Sequence, residues 1–153
     1  MKGEVCLSPV SESEEPEFLA MAEGYFTELN PEFIALDDWR ASYFSRIKTT
    51  PDTCLLWIQC DGRRAGFVLC GLEKHRFLPR TTGCVYEFYI LPQFRRSGIG
   101  RQAGEAVVQL LRRSSPSKIQ LEVASGNASA AEFWQELGFR KVAERYVLNE
   151  VRK

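Results

Sequence analysis

The segment from Cys84 to Arg112 constrains the fold of this chain more than any other. Cys84–Leu91 is apolar at nearly every position, as expected of a central strand buried on both faces. Further on, Ile99, Ala103, Ala106, Val107, Leu110 and Leu111 recur with helical spacing. Between them lies a turn with two glycines, Gly98 and Gly100, and three arginines, Arg95, Arg96 and Arg101. A helix entered straight from a strand through such a turn presents its unpaired N–H groups and positive dipole end to whatever sits on the turn. Glycine lets backbone approach a ligand closely, and the arginines add full charge. This is either a cradle for phosphate or pyrophosphate or simply a glycine-rich helix entry. No Gly-Lys-Ser/Thr follows, so it is not a P-loop. A single G-x-G also falls short of the dinucleotide fingerprint.

The rest of the chain reads outward from that unit. Glu4–Leu7 is a short strand. Ser13-Glu14-Glu15-Pro16 starts a helix whose stripe is Leu19, Ala22, Phe26 and Leu29, and Asn30-Pro31 ends it. Asp37 caps a second helix with Leu36, Trp39, Tyr43 and Ile47 as its buried face. Thr53–Cys60 and Ala65–Gly71 are strands joined by an Asp61-Gly62 hairpin. A loop covers Glu73 to Gly83. Lys118–Val123 is a strand, and Asn127 caps a fourth helix that ends at Leu137-Gly138-Phe139. Lys141–Val151 holds one long strand or two short ones. The order β-α-α-β-β-β-α-β-α-β predicts an α/β (α+β) fold with a mixed sheet and about four helices. At 153 residues and 17.5 kDa, residues 1–153 form a single domain.

Charge is balanced overall but unevenly spread. From Gly3 to Trp39 there is no Lys or Arg, yet ten of the 20 acidic residues lie there. An acidic front and a basic back point to ligands or faces of opposite sign. With pI ≈ 6.6 and dispersed basic residues, a nucleic-acid partner is not expected. No apolar run of about 20 residues occurs, so neither is a membrane partner. The start Met1-Lys2-Gly3-Glu4 lacks a signal-peptide core, and a cytoplasmic location is expected. Five widely spaced cysteines, Cys6, Cys54, Cys60, Cys70 and Cys84, form no C-x-x-C pair. They read as buried strand thiols rather than a disulfide framework or metal site.

Arg95-x-x-Gly98-x-Gly100 after the strand end Tyr89-Ile90-Leu91-Pro92 is followed by Asn127-x-x-Ala130-x-x-Phe133-Trp134-x-x-x-Gly138-Phe139. Together these motifs resemble the GNAT superfamily of acyl-CoA-dependent N-acetyltransferases, whose element order this chain follows along almost its whole length. The resemblance implies a splayed pair of parallel strands, here Cys84–Leu91 and Lys118–Val123, with acetyl-CoA as co-substrate. It places the pantetheine arm along Ile90, Leu91 and Pro92. The pyrophosphate falls on the amides of Arg96, Ser97, Gly98, Ile99, Gly100 and Arg101, beside Arg95. Asn127, Phe133 and Trp134 then flank the arm. The implied partner is a small-molecule or peptide amine acceptor, and a homodimer is compatible with it.

Direct attack of an amine on a thioester needs a base, an oxyanion donor and a route to protonate the thiolate. Glu87, a carboxylate inside an apolar strand, is the candidate base, because burial raises its proton affinity. An ion-paired structural glutamate is the alternative. Main-chain N–H near Ile90 or Leu91 is the candidate oxyanion donor. Many members of the family carry a tyrosine acid where this chain has Trp134, and an indole N–H is not a practical acid. Tyr89, Tyr146 or solvent takes that role, or the chain is a non-catalytic CoA-binding domain. Glu122 is the reserve base or an acceptor ligand. His75, the lone histidine, lies in a basic loop and is either solvated or catalytic. The acidic front, with Tyr25, Phe26, Phe33 and Trp39, favours a cationic acceptor such as a polyamine, an aminoglycoside or a lysine-type amine.

Overall fold

The structure, a computed structural model, describes residues 3–150. It divides into two compact units, one up to Glu122 and one from Val123 on. The first unit holds five strands: β1 (Val5–Pro9), β2 (Thr53–Cys60), β3 (Arg63–Lys74), β4 (Thr81–Ile90) and β5 (Lys118–Leu121). Its helices are α1 (Glu15–Leu29), α2 (Asp37–Thr49) and α3 (Ile99–Arg112). The second unit contains α4 (Ala128–Glu136). The sheet order is β1-β2-β3-β4-β5, antiparallel except for the parallel β4–β5 pair. No helix among the described residues is long and apolar enough to cross a membrane.

Most elements form where their local chemistry asks for them. Asp61 and Gly62 both take positive φ and close the β2–β3 hairpin. Strand β3 runs to Lys74 and β4 begins at Thr81, so the loop between them is shorter than expected. Helix α1 starts through a 3-10 turn over Glu12–Glu14, whose capping box is Ser11 with Glu14, not Ser13. Asp37 is the first residue of α2, and Leu36 takes the cap position.

The helices keep most of the expected stripes, with Ala22 and Ile47 buried and Leu19, Phe26, Trp39 and Tyr43 part-buried against the same core. Phe18, Ala22, Phe44 and Ile47 are buried, with Trp57, Phe67 and Tyr89 in the same cluster. Leu29 and Leu36 are exposed, and Trp39 and Tyr43 are half-buried. Phe18, off the expected stripe, packs between the rings of Tyr43, Phe44, Trp57 and Phe67. On the sheet's other side α3 packs on β1, β3 and β4 with Ile99, Ala103, Val107 and Leu111 buried.

Two expectations need correction. Residues 141–150 carry no strand, and Val142, Tyr146, Val147 and Leu148 are exposed. Val151 lies outside the described residues. Alternating β-branched and aromatic residues suit a strand, but a strand needs a ladder partner to persist. The cysteines are all unpaired and all on strands, yet Cys6 and Cys54 are exposed and only Cys60, Cys70 and Cys84 are buried. Burial pushes the Cys70 thiol up to about 12, so it is inert.

Within the second unit, the Asn127 side chain accepts from the Ala130 amide at 3.2 Å and caps α4. The helix ends in a Schellman arrangement. Phe139 N–H bonds the Trp134 carbonyl at 3.1 Å and Gly138 N–H bonds the Gln135 carbonyl at 2.9 Å.

Candidate active site at the end of β4

The β4–β5 ladder joins Thr82–Val85 to Lys118–Leu121 and goes no further, while β4 continues to Ile90. Past that point β4 keeps only its antiparallel partner on the other edge. Leu91 N–H donates to the Ala65 carbonyl at 2.8 Å, which directs it toward β3. Backbone groups alternate along a strand, so the N–H and C=O of Ile90 and Phe88 point to the edge that β5 has left. This narrows the two candidate oxyanion donors. Leu91 is committed to the sheet, and Ile90 faces the right way.

Side chains from other elements fill in along that edge. The Tyr25 hydroxyl of α1 donates to Glu87 Oε2 and hydrogen-bonds the Phe88 main chain. Arg95 Nε donates to the Ile90 carbonyl at 2.8 Å. Close packing of the sheet helps here. A side chain at Gly66 would collide with the Tyr89 carbonyl oxygen, so only glycine lets β3 and β4 approach at this level.

Glu87 is half-buried, on the face of β4 that packs against α1 and α2. Burial raises its proton affinity above the usual carboxylate range, and the bond from Tyr25 opposes that rise in part. Tyr25 and Tyr43 are both pushed to higher pKa by burial, with the negative charge of Glu87 adding to each. A carboxylate is thus held among phenols that keep their protons. Tyr89 lies two residues on, its hydroxyl donating to Glu28 Oε2 at 3.0 Å. Burial, then Glu28, raises its pKa as well. Sequence reading had found Glu87 and Tyr89 but missed Tyr25, Tyr43 and Glu28 as their partners. No local signal marks those contacts.

The turn after β4 is built for close approach. Pro92–Phe94 forms one 3-10 turn, Arg96 and Gly98 take positive φ (60° and 86°), and α3 begins at Ile99. Gly98 is the cap of a 14-residue helix, a position where a left-handed backbone suits glycine. Arg96 and Arg101 are exposed, and Arg101 pairs with Glu105 at 3.1 Å. The donors fit an anionic phosphate group: main-chain amides at a helix start with two exposed guanidinium groups beside them.

The remaining candidates lie apart from this cluster in sequence. Glu122 follows β5 and is exposed. Trp134 is buried within the second unit against the rings of Phe133 and Phe139. Tyr146 is 88% exposed with its hydroxyl on Glu144 at 3.1 Å. His75 accepts from the amides of Phe77 and Leu78 at 3.1 and 3.0 Å, so it organises its own loop.

The balance at Glu87 sets a measurable pH dependence. Its folded pKa lies above 4.5, so the fold binds the proton more tightly than the open chain does. That stabilisation is full below the unfolded value and is lost as pH rises through the folded one. Glu87→Gln is therefore expected to match wild-type stability at pH 4 and exceed it at pH 7, by chemical denaturation. Tyr25→Phe removes the opposing bond, and the Glu87 midpoint, followed by carboxyl carbon NMR, is expected to move to higher pH.

Known proteins place this geometry. The acetyltransferase (GNAT) family profile matches residues 12–139, which runs through both units. Two uncharacterized N-acetyltransferases are each 25% identical to the chain. The match to that of Methanocaldococcus jannaschii spans 67% of this chain and 46% of that protein; for Archaeoglobus fulgidus the shares are 65% and 69%. The chain thus spans about half the length of the first of these relatives. Among solved structures, a transcriptional regulator from Bacillus halodurans C-125 superposes with TM-score 0.79 at 16% identity, over 95% of this chain and 99% of that one. An aminoglycoside N-acetyltransferase in complex with CoA superposes with TM-score 0.71 at 17% identity, over 100% and 98%. An aminoglycoside acetyltransferase from an uncultured soil metagenomic sample gives 0.70 at 12%, over 95% and 97%. At these identities the structures speak for the fold, and the profile speaks for descent. The profile covers most of the chain, and the chain belongs to the acetyltransferase (GNAT) family.

Proposed function

We propose that residues 1–153 act as one N-acetyltransferase domain that moves an acetyl group from acetyl-CoA to a cationic primary amine. The observation that carries this reading is Glu87: a carboxylate of raised proton affinity on the strand whose far edge β5 has left. A lysine-type amine has a reference pKa of about 10.4, so it arrives as ammonium near neutral pH. Glu87 accepts that proton, and the freed lone pair is directed to the carbonyl carbon. Acetyl-CoA, when bound, supplies the thioester carbon to which the nitrogen bonds as the carbon–sulphur bond breaks. The Ile90 N–H steadies the carbonyl oxygen. With a thiol pKa of about 8.5, the departing sulphur needs no strong acid, and through water it takes up the second proton that the nitrogen sheds on becoming an amide. Arg96, Arg101 and the amides from Arg96 to Arg101 hold the pyrophosphate. The family resemblance adds Asn127, Phe133 and Trp134 to the cofactor-binding set and keeps Glu122 in reserve as base.

The acceptor class rests on charge. Of the ten front acids, Glu14 and Glu17 pair with Arg64, Glu23 with Arg40, and Glu28 with Arg95. Of the acids outside these pairs, Glu32, Asp37 and Asp38 are exposed around the α1–α2 connection, next in sequence to Phe33 and Trp39, and supply the acceptor field. Neighbours in fold that are aminoglycoside acetyltransferases support a small polycationic amine.

Three outcomes test the reading. Glu87→Gln is expected to lower kcat about 10²–10⁴-fold and erase the acidic limb of the kcat/KM profile, with CoA affinity unchanged in calorimetry. Gly98→Asp, compared with Gly98→Asn, which carries the same left-handed backbone strain without the charge, is expected to lose CoA binding, because its carboxylate faces the phosphate site. For a polyamine or aminoglycoside acceptor, KM is expected to rise with salt and in Glu32→Gln/Asp37→Asn/Asp38→Asn. A chain that binds CoA but turns over no amine from a panel of amines is a binding domain instead.

A further inference from the structure

Arg95 belongs by sequence to the phosphate-binding turn, but its side chain leaves that turn. Its Nε bonds the Ile90 carbonyl at 2.8 Å, and its terminal nitrogen meets Glu28 at 2.8 and 3.0 Å. Its guanidinium lies 5.5 Å from the centre of the Tyr89 ring. Tyr89 in turn donates to the same Glu28 carboxylate at 3.0 Å. One residue each from α1, β4 and the turn after β4 closes a ring of contacts.

We propose that Glu28, Tyr89 and Arg95 form a clasp that seats α1 on the end of β4, so that Arg95 positions the acceptor side of the site rather than binding phosphate. The proposal rests on the acetyltransferase reading and refines it. An exposed ion pair alone contributes little, about 0–1 kcal/mol. Here the Arg95 and Glu28 side chains are 40% and 46% exposed, but they share a third hydrogen bond and an aromatic face. The leverage is geometric. Glu28 sits three residues after Tyr25, on the same side of α1. Whatever fixes Glu28 over Tyr89 also fixes the Tyr25 hydroxyl on Glu87, and small displacements at a reacting centre cost rate steeply. The hydroxyl proton of Tyr89 is committed to Glu28, which makes Tyr89 a positioning group rather than the acid for the thiolate.

The test uses Arg95→Ala, Glu28→Gln, their combination, and Arg96→Ala for comparison. Arg95→Ala and Glu28→Gln are each expected to raise the amine KM about tenfold, with CoA Kd by calorimetry within twofold of wild type. The combination should be no worse than either single change, since both break one clasp. Arg96→Ala should weaken CoA instead. Tenfold weaker CoA in Arg95→Ala with normal affinity in Glu28→Gln would make Arg95 a phosphate ligand and overturn the clasp. So would effects of the two single changes that simply add. If wild type binds no CoA or acetylates nothing, the acetyltransferase reading fails. The clasp is then judged by denaturation midpoints of the same four proteins, where additive shifts overturn it and non-additive ones uphold it.

Discussion

The parting of β4 from β5 is the constraint on which the first unit's chemistry depends. Main-chain N–H and C=O groups away from water require partners. The ladder supplies them for Thr82–Val85 and stops, while β4 runs on through Glu87 to Ile90. The chain answers with side chains: Tyr25 at Phe88 and Glu87, and Arg95 at Ile90. Because those partners are side chains rather than a strand, the edge is open to exchange with a ligand rich in amides. The same parting leaves Glu87 half-buried without a cation facing it on its strand. Its high proton affinity is therefore a product of topology more than of any single neighbour.

What could be read from the residues was what local chemistry decides. The strand, turn and helix from Thr81 to Arg112 follow from apolar continuity, glycine and the 3.6 period. The Asp61-Gly62 hairpin and the Gly138 helix end follow from backbone preference. Contacts of long sequence separation were not legible. Tyr25 and Glu87 are 62 residues apart, and Glu28 and Arg95 are 67. Nothing in the spacing of either pair announces that α1 lies over β4. The α1 stripe departs from expectation at Leu29 for a related reason. A wide aromatic cluster buries Phe18 in place of Leu29, and helical periodicity cannot say which of two adjacent stripes the sheet will choose. At the C-terminal end, Lys141–Val151 has strand chemistry, but pairing depends on an edge elsewhere, which composition does not encode.

Charge shows the same division between what is local and what is not. The acidic run from Glu4 to Asp38 is plain in the sequence, but its meaning changes once the fold pairs it. Arg64, a single residue of β3, engages Glu14 and Glu17 and lies 4.5 Å from the Trp57 ring centre. It pins the start of α1 to the sheet, as Arg95 ties its end. Helix α1 is thus held at both ends by arginines of the β3–β4 hairpin and the turn that follows. The acids around the α1–α2 connection, Glu32, Asp37 and Asp38, stand outside these pairs.

A strand that outruns its neighbour is also a template. Half of β4 presents a row of main-chain groups screened by α1 and by Arg95 rather than by another strand, and such edges are where chains recruit one another. Anything that loosens α1 exposes that row in a segment, Val85-Tyr86-Glu87-Phe88-Tyr89-Ile90, that is rich in β-formers and broken by one charge. Glu87 therefore has a second effect beyond any chemistry at the site. As the lone charge in the run, it works against edge-to-edge pairing when α1 is away.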